Sequence, residues 1–180
     1  MAKTASSLSE AHRVFIQAQE MFFVATAPLD AQGHVNLSPK GRDTFRILGP
    51  TTVAYLDLTG SGVETIAHLR ENGRIVVMFC AFQGPPNILR LHGRGRAVRP
   101  EDSEFARLQE QFPVFASLRS IIVVEVFRVS DSCGYGVPLM QKLGDRPQLD
   151  AWASNKGPEG LKTYQKEKNR FSIDALPGLD

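Results

Sequence analysis

Arg74-Ile75-Val76-Val77-Met78-Phe79-Cys80-Ala81-Phe82, followed beyond a Gly84-Pro85-Pro86 turn by Ile88-Leu89-Arg90-Leu91-His92-Gly93-Arg94-Gly95-Arg96-Ala97-Val98, is the stretch that decides the fold. The first run is nearly continuously apolar and rich in strand formers, which reads as a central strand. The second has a period of two. Arg90, His92, Arg94 and Arg96 share one face, and Leu89, Leu91, Gly93, Gly95 and Ala97 share the other. Glycines on a packed face permit close backbone approach or bending of a barrel.

Working outward, Thr52 to Leu58 is another strand, Thr59-Gly60-Ser61-Gly62 a turn, and Val63 to Arg70 a short helix stopped by Asn72-Gly73. Met21 to Ala27 and His34 to Ser38 read as an antiparallel hairpin around Pro28 to Gly33. Before them, Ser7-Leu8-Ser9-Glu10 has the form of a capping box, and Leu8, Ala11, Phe15, Ala18 and Phe22 recur at helical steps. That spacing predicts a first helix of about four turns. Pro100 to Phe112 reads as helical, Ile121 to Val129 as the most β-prone run, and Ser132 to Pro138 as a loop. Leu149 to Arg170 reads as two helical stretches broken at Gly157-Pro158. The expected architecture is mainly β with peripheral helices (α+β), a β-barrel rather than a doubly wound parallel sheet. Residues 1–180 are read as one domain, with its core at about 7–130 and a loop and C-terminal helices over 131–180.

Composition bounds the partners. The chain has 180 residues, and 21 Lys and Arg against 19 Asp and Glu leave a net +2. That balance gives no electrostatic case for nucleic acid or a membrane surface. The two cysteines, Cys80 and Cys133, have no metal-type spacing and build no disulfide framework. Met1 to Glu10 is polar, unlike a signal peptide, and no apolar run approaches the ~18 residues of a spanning helix. A cytoplasmic location with reduced thiols is the expectation. His12, His34, His68 and His92 do not cluster, so no metal site is expected.

Three stretches carry candidate chemistry. Asn36-Leu37-Ser38-Pro39-Lys40-Gly41 reads as a strand end that turns abruptly, presenting an amide, a hydroxyl and an ammonium to an anion or a polar ring edge. A plain Pro-Gly turn with an exposed lysine is the alternative. In Asp57 to Thr65, backbone N–H groups at a helix start and nearby hydroxyls offer a phosphate cradle, or no more than an N-cap turn. The basic face of Arg90, His92, Arg94 and Arg96 reads as an anion contact or as an exposed strand face. His92-Gly93-Arg94-Gly95 is not a dinucleotide fingerprint, because it lies inside a strand.

Taken in order, Phe23-Val24-Ala25-Thr26, Gly33 to Gly41, Thr52-Val53-Ala54-Tyr55-Leu56, Ser61 to Thr65 and Leu69 to Phe79 resemble the pyridoxamine 5′-phosphate oxidase-like FMN-binding split β-barrel proteins. The likeness spans about Ser7 to Val129. It implies a homodimer with FMN at the interface, Thr59, Ser61 and Thr65 near the phosphate, and Ser38, Lys40 and Gly41 near the ribityl chain or ring, with Asn36 beside them. Asn87 and Arg94 are implied to complete the partner's pocket. Many members carry an Arg or Lys pair where this chain has Ser61-Gly62-Val63-Glu64-Thr65, so phosphate binding is expected to lean on Lys40, Arg74 or backbone N–H groups. The Ser132 to Met140 segment and the C-terminal helices do not match the vitamin-B6 oxidase's substrate-binding tail, so the substrate stays open.

The resemblance implies an FMN-dependent oxidoreductase acting on a small molecule or a reduced nicotinamide, with the flavin supplying the redox chemistry. The alternative is a non-catalytic flavin-binding dimer for sensing, storage or carriage. Haem or deazaflavin on the same scaffold is a further reading, with His34, His92 or Tyr135 the residues to examine for haem.

Overall fold

The computed structural model describes residues 4–179, so Met1 to Lys3 of the polar N-terminal stretch and Asp180 lie outside the described residues. Among the described residues, eight strands form one antiparallel sheet in the order β3-β2-β6-β7-β8-β5-β4, with β1 (Thr4–Ala5) added beside β8. The sheet curls into a split half-barrel attended by four helices. β5 (Thr52–Leu58) and β7 (Ile88–Val98) keep the bounds read from the sequence. β6 (Arg74–Cys80) is interior, between β2 (Met21–Thr26) and β7, while β7 takes the middle position.

The alternation of β7 survives across a bulge between His92 and Gly93. A Cβ on Gly93 would meet Val124 Cγ1 at 2.5 Å and the Glu125 carbonyl at 2.6 Å, so only glycine lets β8 (Leu118–Ser132) approach there. β8 runs beyond the expected Ile121–Val129 at both ends, because it pairs with β7 on one side and β5 on the other.

Several elements differ from expectation, each for a local reason. α1 is Glu10–Gln17, about two turns, because Met21 and Phe22 are claimed by β2. Its capping box is Ser9 with His12, not Ser7 with Glu10: the Ser9 hydroxyl accepts from His12 N at 3.2 Å and Ser9 N donates to His12 Nδ1 at 3.1 Å. β3 is Asn36–Gly41, so the supposed Pro39-Lys40-Gly41 turn is strand. Proline fits there because β3 is an edge strand. β1 and β4 (Phe45–Ile47) have no counterpart in the sequence reading. α2 is Glu64–Glu71, α3 only Phe105–Gln109, and α4 Gln148–Lys168 is broken at Gly157, where φ is 65° and ψ 173°.

The barrel interior is apolar. Phe22, Phe45, Tyr55 and Phe79 form an aromatic cluster with ring centroids 5.0 to 5.7 Å apart. A second core lies on the other face of β5 and β8, where Ala54, Leu56, Ile121 and Val123 pack against Phe105 and Leu108 of α3. β5 is therefore buried on both faces, yet it carries Asp57 at 1% exposure.

Candidate functional site

The inner face of β3 builds one lip of the site. Its register sets Asn36, Ser38 and Lys40 opposite Thr26, Val24 and Phe22, all three of them buried, while Leu37 and Pro39 point outward. Asn36 Nδ2 donates to Thr26 Oγ1 and to Thr65 Oγ1 of α2, both at 3.0 Å, and Ser38 Oγ donates to Asn36 Oδ1 at 3.0 Å. Thr26 in turn meets Nδ1 of buried His68 at 2.9 Å. Four residues expected at the site, Asn36, Ser38, Lys40 and Thr65, thus line the split between β3 and the β5–α2 unit, with Gly41 at its end.

The opposite lip is ionic. Arg119 Nε donates to Asp57 Oδ2 at 2.8 Å and Nη2 to Oδ1 at 3.2 Å, Ser120 Oγ adds 3.1 Å, and Lys40 Nζ lies 3.6 Å from Oδ1. Burial raises the Asp57 pKa, but the Arg119 and Lys40 charges outweigh it, so the carboxyl sits below its usual value. One carboxylate facing two cations leaves surplus positive charge, and Lys40, the more loosely held, carries it.

The acceptors of the Thr59–Gly62 turn are satisfied from within. Gln165 Nε2 donates to Thr59 Oγ1 at 2.9 Å, Asn169 Nδ2 donates to the Gly60 and Ser61 carbonyls at 2.9 and 3.3 Å, and Arg119 Nη1 donates to the Gly62 carbonyl at 2.9 Å. The C-terminal segment continues over the turn: Ile173 N donates to Glu64 Oε1 at 3.3 Å, and Asp174 accepts from His34 N at 2.9 Å and engages its Nδ1 at 2.6 Å. Glu64 folds back over the turn, so that a Cβ on Gly62 would collide with its carboxylate.

A cleft of about 800 Å³ opens at the other end of the split. Its apolar walls include Phe15, Met21, Phe82 and Met140, and its cations are Lys40, Arg42, Lys142 and Arg146. Arg42 has φ 64°, a left-handed conformation that costs a non-glycine residue about 1–2 kcal/mol. It is held there by a two-point pair with Asp150 and by the Phe115 ring, 4.7 Å from its guanidinium carbon. Lys142 is engaged by Glu20 and Asp145.

The remaining expected residues lie elsewhere. Arg74 and Arg94 line a hollow of about 400 Å³ on the outer sheet face, with His92 and Phe127, and Arg74 Nη2 donates to the Pro28 carbonyl at 2.9 Å. Asn87 donates to Asp131 at 3.3 Å, at the α1 end of β8. Tyr135 is exposed, His34 is tied to Asp174, and His92 lies on the outer face, so none of the three enters the split. Among the described residues no cluster of metal-ligating side chains occurs, and no helix is long and apolar enough to cross a membrane.

This arrangement matches known proteins. A family profile described as pyridoxamine 5′-phosphate oxidase covers residues 8–133. The chain belongs to the pyridoxamine 5′-phosphate oxidase family. The Aspergillus flavus pyridoxamine 5′-phosphate oxidase family protein ustO is 41% identical over 192 residues, covering 96% of this chain and 76% of that protein. Among solved structures, Group A Streptococcus HupZ aligns with TM-score 0.51 at 20% identity, covering 68% of this chain and 91% of that one. A putative pyridoxamine 5′-phosphate oxidase of Lactobacillus delbrueckii gives 0.53 at 14% over 69% and 94%. An FAD-binding protein of Mesorhizobium loti gives 0.50 at 12% over 73% and 96%. At these identities the solved structures establish the split-barrel fold of this pyridoxamine 5′-phosphate oxidase family member.

The residues fit a flavin unevenly. The cleft has the volume and apolar walls for a flat ring, and the β3 lip has polar groups for its edge and for a ribityl chain. At the Thr59–Gly62 turn the carbonyls are bonded to Asn169 and Arg119, and the Glu64 carboxylate lies beside Gly62, so a phosphate there would rely on backbone N–H groups and hydroxyls rather than on cationic side chains. Sequence reasoning missed Asp57, Arg119 and Arg42. A lone acid inside the apolar Tyr55-Leu56-Asp57-Leu58 strand was the available signal for the first. Nothing local announced Arg42, whose role rests on Asp150, 108 residues away.

Proposed function

We propose that this protein is a flavin-binding oxidoreductase that works as a homodimer, holding FMN along the barrel split and serving a small-molecule substrate or a reduced nicotinamide. The observation that carries the reading is the position of Lys40. It faces Asp57 within the split and also lines the 800 Å³ cleft, joining a polar lip to a ring-sized apolar space. The FAD-binding description of the Mesorhizobium loti neighbour supports the same cofactor class. Bound flavin would supply hydride exchange at its N5, while Ser38, Asn36 and Thr65 orient the polar part of the cofactor and Phe15, Met21 and Phe82 exclude water from the ring.

The dimer rests on the outer sheet face. Val35, Leu37 and Phe127 are 74%, 63% and 59% exposed there, an apolar surface that needs a partner and beside which Arg74 and Arg94 sit. Free thiols at Cys80 and Cys133 accord with a cytoplasmic setting.

Absorbance of the purified protein, followed by FMN titration, tests the cofactor: bands at about 370 and 450 nm with quenched fluorescence are expected. A featureless spectrum with no response to FMN overturns the reading. Bleaching of the 450 nm band by NADH or NADPH would show turnover. Its absence under anaerobic conditions would favour the flavin carrier, a reading to which the locking of Asp57 by Arg119 and Ser120 lends support. Light scattering of Phe127→Glu should report a monomer where the parent is a dimer.

A further inference from the structure

His68, on α2, is fully buried, and its Nε2 has no hydrogen-bond partner among the described residues. The ring therefore acts on its surroundings through Nδ1, which lies 2.9 Å from Thr26 Oγ1 of β2. Burial lowers the His68 pKa below the usual histidine value, against the opposing pull of Asp174 on the C-terminal segment and of Glu64 and Glu71 on its own helix. At about pH 7 the ring is thus neutral, with one nitrogen a donor and the other an acceptor.

The hydrogen bonds around it decide which nitrogen is which. Asn36 Nδ2 donates to Thr26 Oγ1 and to Thr65 Oγ1, so the Thr26 hydroxyl keeps its own proton to give, and Nδ1 of His68 is the partner that takes it. Nδ1 is then the bare nitrogen, and Nε2 carries the proton. At the far end of the chain, Asn36 Oδ1 accepts from Ser38 Oγ. Ser38 has therefore spent its proton and offers the split only lone pairs. Thr26, Thr65 and Ser38 are hydroxyls, which serve either way and would fit the Asn36 carboxamide equally well if it were turned over. His68 removes that degeneracy. A proton on Nδ1 would be donated to Thr26, the carboxamide would turn over, and the Ser38 hydroxyl would be released to donate.

Resting on the flavin reading above, we propose that His68 is a positioning residue that sets the hydrogen-bond polarity of the β3 lip, so that Ser38 meets the cofactor as an acceptor and selects a donor group on it. A ribityl hydroxyl or the ring imide N–H satisfies that demand, whereas a ring carbonyl does not. Protonation of His68 reverses the chain of bonds and the preference with it, so flavin affinity falls as pH falls through the His68 transition.

NMR of the ring nitrogens in the full, unliganded chain reads the first step: at about pH 8, Nδ1 of His68 should be bare and Nε2 protonated. A proton on Nδ1 there overturns the proposal. Riboflavin titration by fluorescence quenching between about pH 8 and pH 5 reads the consequence, since riboflavin has no phosphate to ionise in that range. Affinity should fall about fivefold toward the acid end, the worth of one hydrogen bond, while circular dichroism shows the chain still folded. His68→Asn keeps an acceptor near the Nδ1 position that does not titrate, and Thr26→Val interrupts the relay with nearly the same shape. Both should flatten the profile, Thr26→Val with His68 still titrating by NMR. An acid step that persists in either variant belongs to another group and overturns the proposal. A flat profile in the parent overturns it while leaving flavin binding intact. Failure of riboflavin to bind at any pH removes the flavin reading and this inference with it.

Discussion

At the α2 end of the barrel split, three successive carbonyls, a carboxylate and a buried carboxamide answer one another; at the β3 end, lysine and arginine side chains line an open cleft. Both ends are reached by short turns rich in glycine, serine, threonine and proline, which look alike in composition. What separates them is the polarity of the groups turned inward. A strand–turn–helix binds an anion through its N–H groups, whereas the chain's own C-terminal segment engages the other side of this turn, its carbonyls and the Thr59 hydroxyl.

The sharpest way to break the contrast is at the residue that touches both ends. Arg119 bonds the Gly62 carbonyl on one side and Asp57 on the other, and Asp57 faces Lys40. Arg119→Leu strands a carboxylate at 1% exposure and should cost about 3–5 kcal/mol, read as a shifted urea midpoint. The pair Asp57→Leu with Arg119→Met should recover most of that loss. Folding lowers the Asp57 pKa, so its stabilisation is full above the unfolded carboxylate value of about 3.9 and is lost as pH falls below it. Acid titration of the Arg119 variant should lack that component.

Next in size, Asn169→Leu removes both carboxamide bonds to the turn and should cost about 1–3 kcal/mol, with faster amide exchange confined to the α2 end. Gly134→Ala acts at the other end. At φ 64°, with a Cβ 2.9 Å from the Asn87 backbone, alanine should cost about 1–2 kcal/mol and speed proteolysis of residues 134–147 beside the cleft. The smallest effect is expected from Asp174→Asn, which loosens only the exposed tie to His34 and should shift the melting temperature less than any of the others.

These two ends also mark how far the sequence could be read. β5 and β7 were legible to the residue because strand propensity bounded by turns, or strict alternation, leaves one solution, whereas the common face of Asn36, Ser38 and Lys40 follows only from β3 running through to Gly41. β3 reads as a turn because Pro39 and Gly41 carry turn propensities that an edge strand tolerates. α1 reads too long because Phe22 satisfies a helical step and a strand alternation equally well. The bracing of the Thr59–Gly62 turn is invisible for a different reason: Gln165 and Asn169 reach it across more than 100 residues, and no local pattern encodes such a contact.

β8 has a bearing on how the protein is made. Among the described residues, the β4–β5 hairpin joins the rest of the sheet only through β8, which pairs with β5 from far along the chain and with β7 on its other edge. On a ribosome, the meander of β2, β3, β6 and β7 and the separate β4–β5 hairpin must both wait, apolar faces uncovered, until Leu118 to Val126 has emerged. The window of vulnerability to aggregation during synthesis therefore closes with that one strand, and a translational pause just before it should harm yield more than one just after.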